Sequence, residues 1–313
     1  MGSEGQTTAL ALPRPLRNWA EATFHALIQP AAGPQVDFTR PAGEAALAAP
    51  DSVAWQVFRN PVALFVGGVA AVVLELAEPR LRAGVWNHTS FRTEPVRRLQ
   101  RTGLAAMVTV YGARSVAEAM IARVRQAHAA VRGHTESGLA YSADDPVLLD
   151  WVQATACFGF LSAYHRFVRP LPLAEQDRFY AEALPAARLY GASGAPDSGA
   201  GMEACFAAMR PRLGASPVLS EFLGIVRHAP ILPAGLRPLQ QLMVRAAVAV
   251  TPPWAQAQLG LESRLRPWEA RLLLRAGAMA DRLLLESSPA VQACRRLGLP
   301  PRMLLTGRAE TAP

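Results

Sequence analysis

Apolar residues recur at three- and four-residue intervals along most of the chain, whereas no run of four to eight residues alternates apolar and polar positions between turn signals. The pattern predicts an all-α protein in which a sheet is unlikely. Residues 1 to about 50 are rich in Pro, Ala and Gly and carry one plausible helix, from about Leu16 to Ile28, ended by Pro30. They read as a mobile or loosely docked lead-in. Residues 51–313 read as a single large helical domain.

Within that domain Pro61 starts an apolar helix that Pro79 closes. Its Gly67-Gly68 pair costs roughly 1 kcal/mol per Gly relative to Ala, which predicts close approach of another backbone or a bound group. A helix from Pro95 to about Tyr111 stops at Gly112. The next, from Ser115 to Val131, has the Ser115/Glu118 spacing of a capping box and a stop at Gly133; Met120, Val124, Ala127, His128 and Val131 fall on its buried face. His134 to Ala143 reads as a loop. Asp144-Asp145-Pro146 then announces a helix reaching about Val168, apolar nearly all round and expected at the centre of the fold. Further helices are expected near Ala174–Tyr190, Val218–His228, Leu236–Val250, Pro267–Glu286 and Pro289–Leu297, with a flexible break from Gly194 to Gly201.

Half the residues are apolar (51%) and 18% are charged, enough for a large core and far from a disordered composition. The net charge of +8 comes from arginine alone, without lysine, and the arginines are scattered with no aromatic interleaving, which argues against a nucleic-acid groove. Cys157, Cys205 and Cys294 are odd in number and far apart, so neither a disulfide framework nor a thiolate zinc site is indicated. The polar start Met1–Thr8 lacks the order of a secretory signal, and the protein is expected to be cytoplasmic. The uncharged run Val62–Leu74 spans about thirteen residues against roughly 20 for a bilayer crossing, so it predicts a buried helix, with shallow peripheral membrane contact as the alternative.

Nucleotide-binding glycine loops, the G-x-S-x-G elbow and H-E-x-x-H are all absent. What remains is polar side chains on apolar helices: Arg98 and Thr102, four apart, and His128 and Arg132, also four apart. Two faces would then bring cations and an imidazole toward one space. A histidine on an apolar face is more often a satisfied core residue than a ligand, and Arg98 and Arg132 could equally be solvated helix-end charges.

The segments EPRLRAGVWNHTSFRTEPVRRLQRT, RVRQAHAAVRG, YSADDPVLLDWVQA and LPLAEQDRFYAEALPAARLYG, in this order, resemble the catalytic domain of the ER-bound oxygenase mpaB and rubber oxygenase family, and the flanking GGVAAVVLELAEP and LGLPPR also fit. The resemblance covers most of the chain from about residue 50. It implies a b-type haem in a globin-like helical core, with His128 as the axial iron ligand, Arg132 one turn beyond it as a cofactor contact, and Arg98 and Thr102 as catalytic residues on a neighbouring helix. It further implies an oxidoreductase that uses dioxygen on a small apolar substrate, isoprenoid or lipid-like. Two departures matter: many relatives read W-V-H where this chain has Trp151-Val152-Gln153, and His-Pro where it has Glu78-Pro79. The alternative is therefore a haem- or ligand-binding helical protein without turnover, a sensor or carrier. Oligomeric state is open.

Overall fold

Two apolar helices set the architecture. Asn60 caps α3 (Pro61–Ala77), its side-chain oxygen accepting from the N–H groups of Val62 and Ala63, while Pro61 occupies the first turn, where no donor is needed. Asp145 does the same for α7 (Pro146–Phe167), accepting from Val147 N–H. These helices pack against each other more extensively than any other pair. The reason is visible at their crossing: a Cβ on Gly67 would stand 2.6 Å from the Phe160 Cα, and one on Gly159 would stand 2.4 Å from the Gly67 carbonyl oxygen. Only glycine admits this approach. The expectation of backbone contact at Gly67-Gly68 therefore holds at Gly67, while Gly68 meets only the Phe160 ring.

The computed structural model describes residues 9–29, 35–88 and 90–306 and has fifteen α-helices among them, with one two-stranded ribbon. The all-α expectation holds. Around the α3–α7 pair lie α1 (Arg14–Ile28), α2 (Val53–Phe58), α4 (Pro79–His88), α5 (Pro95–Tyr111), α6 (Arg114–Ala129), α8 (Leu173–Tyr190), α9 (Gly199–Met209), α10 (Pro217–His228), α11 (Arg237–Val250), α12 (Pro253–Leu259), α13 (Pro267–Ala280), α14 (Pro289–Arg296) and α15 (Met303–Thr306). Trp55, Trp151, Tyr111, Tyr164 and Phe222 are among the largest side chains fully inside. Phe38 and Ala46, from the stretch before α2, join the same core, and Arg296 donates to the carbonyls of Phe38 and Glu44. Pro30 and Met1–Thr8, on which the first helix stop and the leader reading rested, lie outside the described residues.

Several local expectations are corrected. Pro79 not only ends α3 but opens α4, which leaves at 112° to it; Glu78 sits in this corner, 2% exposed, and its carboxylate accepts from Leu81 N–H and from Arg80. The stretch His134–Ala143 is not a plain loop: β1 (Arg132–His134) pairs antiparallel with β2 (Ala140–Ser142). Ser115 does not cap α6. The cap position is Ala113, and Ser115 gives its N–H and hydroxyl to Glu44, far away in sequence. Helix α13 ends at Ala280, short of Glu286.

By length and composition α7 is the one described helix able to cross a membrane. Its position against α3, α8, α9, α11 and α13, with Trp151 and Tyr164 sealed inside, is that of a core helix.

Candidate functional site

Helix α6 is held to the body by Ala117 and Ile121 in its first half, while in its second half only Val124 and His128 are half-buried and Ala122, Arg125, Gln126, Ala127 and Ala129 face outward. The buried face is thus narrower than the periodicity suggested, and Ala127 is not on it. His128 borders a cleft of about 520 Å³ walled by Ala129, Asp144, Leu149, Tyr190 and Gly191, a size within the range of small-molecule sites. Burial lowers its pKa, the Arg98 charge lowers it further, and Asp144 opposes both. The ring is therefore held neutral. Among the described residues its nitrogens have no hydrogen-bond partner, unlike those of His88, bonded to the Tyr141 hydroxyl at 2.9 Å, and His165, which accepts from Leu171 N–H at 3.0 Å.

Arg98 reaches the same neighbourhood from α5. Its Nη1 donates to the Thr102 hydroxyl at 2.8 Å, Thr102 in turn donates to the Arg98 carbonyl, and the guanidinium lies over the Phe91 ring. The Arg98 Nε is buried with no acceptor, and so is the indole N–H of Trp86, which stacks on Phe91. A buried charged donor left without an acceptor is costly unless something else supplies one.

Arg132 is placed differently from its expected position. Helix α6 stops at Ala129 and the chain crosses into β1, so Arg132 does not share a helix face with His128. Its side chain is 68% exposed and meets Asp144 at 3.5 Å. The structure therefore joins Arg98, Thr102 and His128 through side-chain contact and charge, and links Arg132 to them only through Asp144.

Glu75 adds an acid to this neighbourhood that no motif in the sequence marks. Phe65, Gly68, Val72 and Glu75 form one stripe along α3, each half-buried as a residue, and the Glu75 carboxyl is surrounded by protein. Burial raises its pKa to about 7, with Arg98 and Thr155 pulling the other way. An acid raised in the folded state adds stability below its ordinary value near 4.5, and that contribution is lost as pH climbs through about 7. Glu75→Gln should therefore gain on the wild type by about 1–3 kcal/mol between pH 5 and pH 8. Denaturant melts at the two pH values measure this; a difference that does not change with pH would mean that Glu75 is solvated.

The two departures from the family pattern have structural occupations. Glu78 is the anchor of the α3–α4 corner, and Gln153 turns its amide to Cys157 Sγ at 3.2 Å within α7. Asp145 is a cap and also receives Arg80 at 3.0 Å, whereas Asp144 belongs to the cleft. Asp145→Ala should cost about 1–2 kcal/mol of stability in a thermal melt and leave the surroundings of His128 unchanged. A loss of binding at the cleft without a loss of stability would contradict this division.

Among the described residues no group of three or more His, Cys, Asp or Glu side chains could cage a metal ion. A lone imidazole suits an iron whose other donors come from a macrocycle, and a guanidinium with a free Nε–H suits that macrocycle's carboxylates. The residues present fit such a group.

Searches of the curated proteins and of the solved structures found no match. The model of one family, described as ER-bound oxygenase mpaB/B'/Rubber oxygenase, catalytic domain, matches residues 55–283, from α2 to beyond α13 and across every residue of the site. This chain belongs to that family of oxygenase catalytic domains.

Proposed function

We propose that the protein is a haem-dependent oxygenase that holds haem b through His128 and acts with dioxygen on an apolar, isoprenoid or lipid-like substrate. The observation that carries this reading is a neutral, half-buried imidazole without a partner at the edge of a cleft, next to a buried arginine Nε without an acceptor. When bound, the haem iron would supply the activation of dioxygen.

The chain's own residues have separable tasks. His128 offers a lone pair, and burial together with Arg98 keeps that lone pair free of a proton. Arg98 would offer its unpaired Nε to a carboxylate of the cofactor, while Thr102 fixes the guanidinium from one turn away. Glu75 holds a proton on an internal carboxyl near neutral pH, next to the Arg98 charge. The half-buried Phe65, Val72, Phe158 and Phe160 provide apolar surface on α3 and α7 for a substrate of the same kind. Arg132, exposed and paired with Asp144, contributes through the cleft rim.

An absorption spectrum of the protein produced with ample haem precursor, followed by oxygen consumption with a short polyisoprene, tests the proposal. A Soret band and substrate-dependent uptake are expected. A protein that takes up no haem after reconstitution overturns the reading. Haem without oxygen uptake across apolar substrates would favour a sensor or carrier, the reading that Gln153 and Glu78 support by offering no imidazole.

A further inference from the structure

Helix α13 is apolar on two sides. Its inner side, Glu269, Leu273 and Gly277, is packed so tightly that a Cβ on Gly277 would stand 2.0 Å from the Phe167 carbonyl oxygen. The outer side should then be polar, as on an ordinary surface helix. It is not: Trp268 is 56% exposed, Leu272 48%, Met279 57% and Leu274 39%. At 100° per residue Trp268, Leu272 and Met279 fall in one narrow stripe, with Arg271 and Arg275 alongside it, both exposed. The helix shows no exposed acid. Glu269 is buried and held by Arg245, and Asp281, which follows the last turn, is taken up by Arg59.

A second exposed apolar pair lies nearby. Helix α1 and the residues before it are fastened along the segment that leaves α13, through Leu10 N–H to the Arg282 carbonyl, Arg17 to Glu286, and Glu21 accepting from Ser287 N–H, and α1 exposes Leu16 at 48% and Trp19 at 46%.

We propose that α13, with the adjoining start of α1, is a docking surface for an anionic phospholipid bilayer. Tryptophan, leucine and methionine on one stripe would enter the boundary between headgroups and acyl chains, and Arg271 and Arg275 beside them would meet the lipid phosphates. Charge decides between a bilayer and a second copy of the chain. A two-fold contact centred on α13 would set Arg271 and Arg275 against their own counterparts, with no exposed acid on the helix to separate them. An anionic surface is complementary to the same residues. The inference rests on α13 and is independent of haem.

Flotation of the full chain with phosphatidylcholine vesicles, alone or with about 30% phosphatidylserine, tests it. The wild type is expected to float with the anionic vesicles and to be released by high salt. Arg271→Gln with Arg275→Gln should weaken binding about 30-fold, at roughly fivefold per arginine near such a surface. Trp268→Ser, Leu272→Ser and Met279→Ser together should reduce it by about tenfold or more. All five side chains are exposed, so each variant should retain the wild-type helical spectrum and melt, and this is checked first. Absence of wild-type flotation, or flotation unaltered by the triple replacement, overturns the proposal. So does a wild-type dimer in sedimentation that the triple replacement makes monomeric without any vesicle binding, since the stripe would then be a subunit interface.

Discussion

If His128 ligates haem as proposed, His128→Ala is expected to abolish stable haem binding, or to leave a weakened and shifted Soret band, while the far-ultraviolet spectrum and melting point stay close to those of the wild type. The fold should tolerate the change because His128 is half-buried on a part of α6 whose neighbours Arg125, Gln126, Ala127 and Ala129 face outward. The cofactor should not, because no other described imidazole is similarly placed: His88 and His165 are bonded to Tyr141 and Leu171, and His25, His134 and His228 are exposed. Arg98→Ala is a contrasting control. Removing an outer contact of a metal site typically costs about ten- to a hundredfold in affinity or activity rather than all binding. Haem titration of the two variants separates ligand from support; equal affinity in His128→Ala and the wild type would send the ligand assignment elsewhere.

Gly159→Ala should be among the most destabilising single changes in the chain, costing at least about 3 kcal/mol. The added methyl would stand 2.4 Å from the Gly67 carbonyl oxygen and 3.2 Å from Ala71 N. Both obstacles are backbone on α3, so no side-chain rotation relieves the clash, and the two central helices must separate along their whole contact. Thermal and denaturant melts measure the loss. A variant within about 1 kcal/mol of the wild type would show that this pair can slide apart, contrary to an interior at close packing. Glycine at 103, which meets nothing within 4 Å, serves as the reference: Gly103→Ala should be neutral or stabilising, since it replaces a poor helix former.

How far such features are legible in sequence depends on whether their cause is local. Asp145-Pro146, Asn60-Pro61 and Gly112 act on their own helices, and the starts of α7 and α3 and the end of α5 are readable from them. Gly67 betrays its contact because a glycine pair inside an apolar helix has a cost that some close approach must offset. Pro79 is ambiguous, since a proline that stops one helix is equally at home in the first turn of the next, and here it does both. The strands Arg132–His134 and Ala140–Ser142 are too short for alternation to register. Ser115 offered a plausible cap, but Glu44 from 71 residues away claimed both its donors.

The site divides in the same way. Arg98 and Thr102 share one helix, so their bond follows from a spacing of four. His128 and Arg132 have that spacing too, yet the helix ends between them. Glu75 reads as the charged end of an apolar run; its raised pKa comes from burial, against the opposing pull of Arg98 on α5 and Thr155 on α7, and no spacing within α3 announces that.

The corner at Glu78 bears on how this chain could have parted from relatives with His-Pro. Arg80 is shared between Glu78 and the Asp145 cap of α7, 65 residues away, so the three side chains form one heritable unit. Exchanging Glu78 for histidine alone would leave Leu81 N–H without its acceptor and Arg80 with half its counter-charge. The change becomes tolerable only once position 80 has altered, and altering position 80 first strands a carboxylate that is 2% exposed. Each route passes through a handicapped intermediate, so the substitution history at this corner should be strongly epistatic: Glu78 should travel with Arg80 and an acid at 145, and chains should hold either the whole trio or none of it.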